Sequence, residues 1–268
     1  MSGTCDPSTA RAARAQDETS TALFAYALGL ADDALILGHR LSQWIGHGPL
    51  LEEELALGNT ALDLIGQARA LYAYAGAVEG KGRDEDALAY RRDAGGFRNL
   101  LLVEQPNGDF AVTVVRQFLH AAFMHPFWRA LAASKDETLA AIAAKAEKEA
   151  AYHLRHAGEW LIRLGDGTAE SRRRAQDALD ALWPYTGEMF EADAAAKALI
   201  RQGIATDPAP LRAVWERTVT SVLSEATLRQ PESGWMQSGG RRGRHSEHLG
   251  HLLAELQFLP RAYPAATW

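Results

Sequence analysis

The chain has 268 residues, 47% of them hydrophobic and 23% charged, with a formal net charge of −6. These are the proportions of an ordinary globular protein, and the mild acidity argues against a general nucleic-acid binder. A single cysteine, Cys5, excludes a disulfide framework and a cysteine-rich zinc site. The longest uncharged apolar stretch, 19–31, is too short to span a bilayer, so a cytoplasmic location is expected.

Residues 1–18 are rich in Ala, Arg, Ser and Thr and read as a flexible leader. From residue 19 to 268 the pattern is that of one helical domain. Leu30, Ala34, Leu37, Leu41 and Trp44 recur at steps of four and three, one face of a long helix that Gly46-His47-Gly48-Pro49 ends. A second long helix is expected over 51–77, with Leu51, Leu55, Leu62 and Ile65 on its apolar stripe. A short helix follows near 84–92. The stretch 97–131 is interrupted by Pro106-Asn107-Gly108, which either kinks one helix or separates two. Asp136 reads as the N-cap of a helix running to Leu164, before Gly165-Asp166-Gly167. Shorter helices are expected near 169–183, 188–201, 209–228 and 246–259. Alternating strand-like runs are nearly absent. The class is all-α, a four-helix bundle core with additional C-terminal helices packed around it.

Nine histidines stand out, several at helical spacing with carboxylates. The helix after Asp136 carries a seam Ile142, Ala146, Glu149, His153, His156, Trp160. Three successive polar groups therefore lie on a stripe expected to face the core. Burying them is costly unless they pair or bind metal. Helical bundles can hold two metal ions with Glu-x-x-His from each of two helices and a Glu from each of the others. Here the spacing is broken, because Ala150 stands three before His153. On the second helix Asn59, Asp63 and Gln67 form a matching stripe, but the Glu-x-x-His positions read Leu64 and Gln67. Asp33 on the first helix completes the set Asp33, Asp63, Gln67, Glu149 and His153. One reading is a hydrogen-bonded network, tied to Arg40 or Arg69, that locks helix register. The other is a metal centre with an atypical ligand set, Asp33, Glu104, Asp109, Glu149 and His153.

Two further places carry chemistry-bearing residues. His248, His251 and Glu255, with His245 before them, form either a mononuclear metal face or a solvated face opposite Leu249, Leu252, Leu256 and Leu259. The loop 229–244 is long for a compact domain. Its Arg241, Arg242 and Arg244 read either as an anion clamp or as a solvated basic loop with salt bridges. Its Trp235 and Met236 are either core anchors or an exposed partner-binding patch. No phosphate-binding loop, dinucleotide fingerprint or nucleophile elbow is present.

Particular words of the chain carry a resemblance. They are 31–42 (Ala31-Asp32-Asp33 to Gly38-His39-Arg40-Leu41-Ser42), 61–69 (Ala61-Leu62-Asp63 to Gln67-Ala68-Arg69), 97–110 with Glu104-Gln105-Pro106-Asn107-Gly108-Asp109, 152–157, 183–190 and 234–240. Together they resemble the C-subunit (PaaC) family of the bacterial phenylacetyl-CoA epoxidases, multicomponent monooxygenases of aerobic phenylacetate breakdown. The resemblance runs from about residue 27 to Trp268.

It implies a ferritin-like bundle and a non-catalytic structural subunit with a degenerate metal site and no cofactor of its own. It further implies a homologous catalytic A subunit holding the di-iron centre and the CoA thioester. A reductase with flavin and iron–sulfur groups would bring electrons from NADPH. A pseudo-symmetric heterodimer is expected, with an interface above roughly 1,000 Å². The isolated chain would be alone or a homodimer, with an apolar patch exposed. Trp235, Arg241, Arg242 and Arg244 are the expected contacts to the partner or to CoA.

Overall fold

A computed structural model describes residues 7–232 and 234–266, with side chains from Gln16 onward. The described residues form helices and connecting loops, with no strand among them. Four long helices make the core: α1 (Pro7–Ser42), α2 (Leu51–Glu79), α5 (Phe110–Leu131) and α6 (Glu137–Gly165). Between α2 and α5 lie the short α3 (Glu85–Tyr90) and α4 (Leu101–Glu104). After α6 come α7 (Ala169–Leu182), α8 (Ala194–Gln202), α9 (Leu211–Glu225), α10 (Glu247–Leu256) and α11 (Phe258–Ala262). Pro106 separates two helices rather than kinking one.

Helix α1 starts at Pro7, so residues 7–18 continue the helix instead of forming a flexible leader. Cys5 and the rest of 1–6 lie outside the described residues. The span Gln16–Ser42 is long and apolar enough to cross a membrane by composition, beyond the 19–31 stretch read from sequence. It is 67% buried inside the protein and packs along α2, as the core helix of a bundle does. Its charged residues Asp32, Asp33 and Arg40 are buried and hydrogen-bonded to protein groups. Gly38 lets α2 approach, because a Cβ there would meet Ile65 at 3.1 Å and the Ala61 carbonyl at 3.3 Å.

The helix ends follow local chemistry. Asp109 accepts from the Val112 amide at 3.1 Å and Asp136 from the Leu139 amide at 2.8 Å, each capping a helix start. Helix α5 is the most enclosed element, with Val114 to Met124 all buried. Its neighbours explain this: α6 lies along it, and α7 and α9 pack on it as well. Helix α8 packs on α1, and α7 and α9 also touch α6.

Helix α2 is different. Its buried face is Leu57, Ala61, Leu64, Ala68, Leu71 and Tyr72, turned to α1 and α6. The stripe expected to be core is instead on the surface. Leu51 is 67% exposed, Leu55 59% and Leu62 67%, and only Ile65 is half-buried. Both faces of α2 are apolar, so periodicity alone picked the wrong one.

Candidate functional site

Helices α2 and α6 run antiparallel and are joined by three polar pairs. His156 Nε2 lies 2.9 Å from Glu53 Oε2, and His153 Nε2 3.0 Å from Asp63 Oδ2. Gln67 Nε2 donates to Glu149 Oε2 at 2.8 Å. A carboxylate only accepts, so both imidazoles present an N–H to their partners. Lys145 Nζ lies 3.5 Å from the other Glu149 oxygen, and Tyr152 stacks on His156. Four of the five residues singled out as one polar set, Asp63, Gln67, Glu149 and His153, thus meet at this seam. Arg40 and Arg69 do not join it. Arg40 donates to the Glu104 carbonyl at 2.7 Å, and Arg69 pairs with Glu85 on the surface. Asn59 is exposed.

Asp33 belongs to a second system, built on the connector 97–101 and the loop 239–246. Asp33 Oδ1 accepts from the Leu100 amide at 2.7 Å and Oδ2 from Arg241 at 2.5 Å. Burial pushes the Asp33 carboxyl up to about 6, against the opposing pull of Arg241 and the Leu100 amide. Arg241 also donates to the carbonyls of Gly29 and Arg98, each at 2.8 Å. Glu188 takes the amides of Leu101 at 3.0 Å and Gly239 at 2.8 Å. Glu104 takes His245 Nδ1 at 2.8 Å, the Ser246 amide at 2.6 Å and Asn99 at 2.9 Å. Asp32 takes Arg92, Tyr72 and the Arg98 amide. Four buried carboxylates thereby hold two loops that have few backbone bonds of their own. Gly240 is required here, since a Cβ would sit 2.0 Å from the Asn99 carbonyl.

This corrects the reading of the arginines as one group. Arg241 is a partly buried strap, already occupied on both terminal nitrogens, and is not free to clamp an anion. Arg242 is exposed, 3.2 Å from Ser238 Oγ and 3.9 Å from Glu191, and Arg244 is exposed. Trp235 and Met236 divide the two alternatives. Trp235 is 77% exposed, whereas Met236 packs against Gly187. Ser233 of this loop lies outside the described residues.

The atypical ligand set also comes apart. Asp33 is with Arg241, Glu104 with His245, and Asp109 caps α5 and meets Arg174 at 3.2 Å. Only Glu149 and His153 share a seam. Among the described residues no three His, Cys, Asp or Glu side chains converge to hold a metal ion. The residues present do not fit a di-iron centre: Leu64 and Ala150 have no donor atoms, and the donors beside them are engaged with one another. On α10, His251 and Glu255 are exposed, opposite the buried Leu249 and Leu252, while His245 is turned inward to Glu104.

Several polar core residues went unnoticed in the sequence, among them Glu53, Glu188, Arg116, Gln117 and His120. Gln117 and His120 on α5 are each 3% exposed. Burial drives His120 down to about 3, with His153, Arg241 and Arg116 adding to the effect. Burial also lowers His153, although Asp63 and Glu149 oppose it. The signal available was Arg116, Gln117 and His120, polar residues close together inside a largely apolar run.

These shifts fix a pH dependence. His120 and His153 are neutral in the fold but titrate near 6.5 when unfolded, so the unfolded chain binds more protons in acid. Their contribution is present above pH 6.5 and is lost as pH falls below it, at up to about 1.4 kcal/mol per pH unit for each residue. His245 has the opposite sign. Burial disfavours its charge, but the hydrogen bonds to Glu104 and the Phe97 carbonyl outweigh this and raise its pKa. Its contribution is present below pH 6.5 and fades as pH rises through the folded value. Denaturant unfolding at pH 7, 6 and 5 is expected to show net acid destabilisation, because His39, His120 and His153, all lowered by burial, outnumber His245 and Asp33, whose raised values act the other way. A flat profile would contradict the burial of His120 and His153 as neutral rings.

Fold and seam define a class: an all-α, ferritin-like bundle whose central helices face each other through paired polar side chains. The chain belongs to the Phenylacetic acid catabolic protein family, whose sequence model matches residues 7–268. It is 50% identical over 246 residues to the C subunit of the 1,2-phenylacetyl-CoA epoxidase of Escherichia coli (strain K12). That match covers 92% of this chain and 99% of the relative.

Proposed function

We propose that this chain is a non-catalytic structural subunit of a di-iron phenylacetyl-CoA epoxidase, acting in the cytoplasm in aerobic phenylacetate catabolism. The observation that carries the reading is the α2–α6 seam. Asp63, Gln67, Glu149 and His153 stand in the region where such a bundle would hold metal, and they are paired with one another instead. These four residues are then the remnant of a metal site, and Asp33 has been diverted to hold Arg241. The match to a relative named as the C subunit of such an epoxidase supports the assignment.

In this reading the chain carries no catalytic residue and binds no cofactor. The di-iron centre sits in a homologous catalytic A subunit, and a flavin and iron–sulfur reductase supplies electrons from NADPH. The work of this chain is to hold its partner. The bare face of α2 suits that role: Leu51, Leu55 and Leu62 are exposed along it, Ile45 and Leu50 in the connection before it, and Tyr152 of α6 is exposed as well. The additional helices cover the other three long helices and leave this face open. Trp235, with Arg242 and Arg244, is a second exposed point for a partner.

Iron loading tests the catalytic status. The purified chain, incubated with ferrous iron and desalted, is expected to retain well under one iron per chain. About two irons per chain, the content of a working di-metal bundle, would overturn the proposal. Titration with coenzyme A provides a separate check on Arg241. Binding of coenzyme A that disappears in Arg241→Lys, with the fold intact, would show that this arginine serves a ligand.

A further inference from the structure

Gln117 and His120 pose a problem that the α2–α6 seam does not solve. Both side chains are buried, and no described protein group lies within hydrogen-bond distance of Gln117 Nε2, Gln117 Oε1 or His120 Nε2. They are three residues apart on α5, so they project from the same side of the helix. A buried donor or acceptor left unpaired is strongly unfavourable, and buried amides are nearly always satisfied. Three such atoms side by side point to a shared partner.

Thr113, four residues before Gln117, is already engaged with Trp44 Nε1 and the Asn107 carbonyl. His153, whose charge bears on His120, is held by Asp63. Arg116, four before His120, is held through both terminal nitrogens by Gln105 and Asn107, and Val114, Ala121, Phe123 and Met124, three or four residues from one or other of the two, carry no polar group. A water molecule, with two donors and two acceptor sites, matches an amide N–H, an amide carbonyl and an imidazole nitrogen at once.

We infer that Gln117 and His120 form an internal water site in the centre of the bundle. The imidazole is neutral there, so its Nε2 either accepts from the water or donates to it according to tautomer. Adjacent Arg116 sharpens the choice of occupant. Its guanidinium is fully buried, donates to the Gln105 carbonyl and to Asn107 Oδ1, and has no carboxylate partner. Its Nε is also without a described partner. A small anion is therefore the rival occupant. Water is favoured because the site presents Gln117 Oε1, an acceptor that an anion would repel.

The sign of one substitution separates a wet site from a dry one. If water is bound, Gln117→Leu removes two of its partners and leaves His120 unpaired, so Tm falls by several degrees. If the site is dry, the same change deletes two unsatisfied atoms and Tm rises. Gln117→Met, of similar volume and more flexible, should show the same sign and covers a failure of the leucine variant to fold. A crystal structure of the intact chain at high resolution gives the direct readout. Density bridging Gln117 and His120 is expected. No density there, or a rise in Tm in either variant, overturns the proposal. An anomalous peak at the site in crystals grown with bromide would overturn it in favour of an anion. None of these outcomes depends on whether the chain is catalytic.

Discussion

Arg241→Ala is expected to destabilise the isolated chain by about 3 kcal/mol, the low end of the cost of removing one partner from a buried ion pair, because Asp33 is buried while Arg241 keeps some contact with water. At this chain length that corresponds to a fall in Tm on the order of 10 °C. The reason lies in what is left behind. Asp33 is 1% exposed and would remain in the core with only the Leu100 amide. The carbonyls of Gly29 and Arg98 would lose their donor too. Replacing both partners, as in Asp33→Leu with Arg241→Leu, removes the stranded charge and is expected to cost clearly less than Arg241→Ala alone. Chemical denaturation of the three proteins measures this. If Arg241→Ala unfolds like the parent, the strap is not what holds loop 239–246. Because Asp33 is buried and Arg241 largely shielded, added salt should change the difference less than for a surface pair.

Much of the scaffold was legible in the sequence, for a physical reason. Asp136 and the Gly165-Asp166-Gly167 stop act through bonds within a few residues, so helix ends can be read locally, whereas Asp109, read from sequence as a candidate ligand, is a cap of the same kind. The α2–α6 seam was legible in part because its spacing of three and four puts Glu149, His153 and His156 on one side of one helix. What spacing cannot give is the partner. Asp33 was grouped with the seam because it is an acid on a core helix. Its true partner, Arg241, comes from a loop more than two hundred residues away.

The misreadings share a cause. Periodicity finds contrast, and where a helix has none it fails. Helix α5 is buried on every side, so Gln117 and His120 stood in a run without a polar face to mark them as unusual. Helix α2 has apolar residues on two sides, and only tertiary packing decides which of them is covered. Leu57, Leu64 and Leu71 are inside, while Leu51, Leu55 and Leu62 are not. A helix with leucines on both sides in a structure that covers one is a helix with a second surface to bury.

That second surface gives the other large expected effect. Leu55→Glu with Leu62→Glu is expected to leave the isolated fold intact, because both side chains are mostly in water and surface changes usually alter stability by no more than about 0.5 kcal/mol. If the proposed catalytic subunit docks on this face, its pairing should weaken by at least about 100-fold, since burying each leucine is worth roughly 1.5–3 kcal/mol and each charge would have to be desolvated. Co-expression with the catalytic subunit, followed by size-exclusion chromatography, reads out the complex. Unchanged Tm with loss of co-elution is the expected pair of results. Undiminished co-elution would move the interface elsewhere, to Trp235, Arg242 and Arg244 first. Sedimentation of the isolated chain separates the remaining case. A dimer that dissociates in the double variant would mean that α2 pairs two copies of this chain, and that the partner subunit competes for the same leucines.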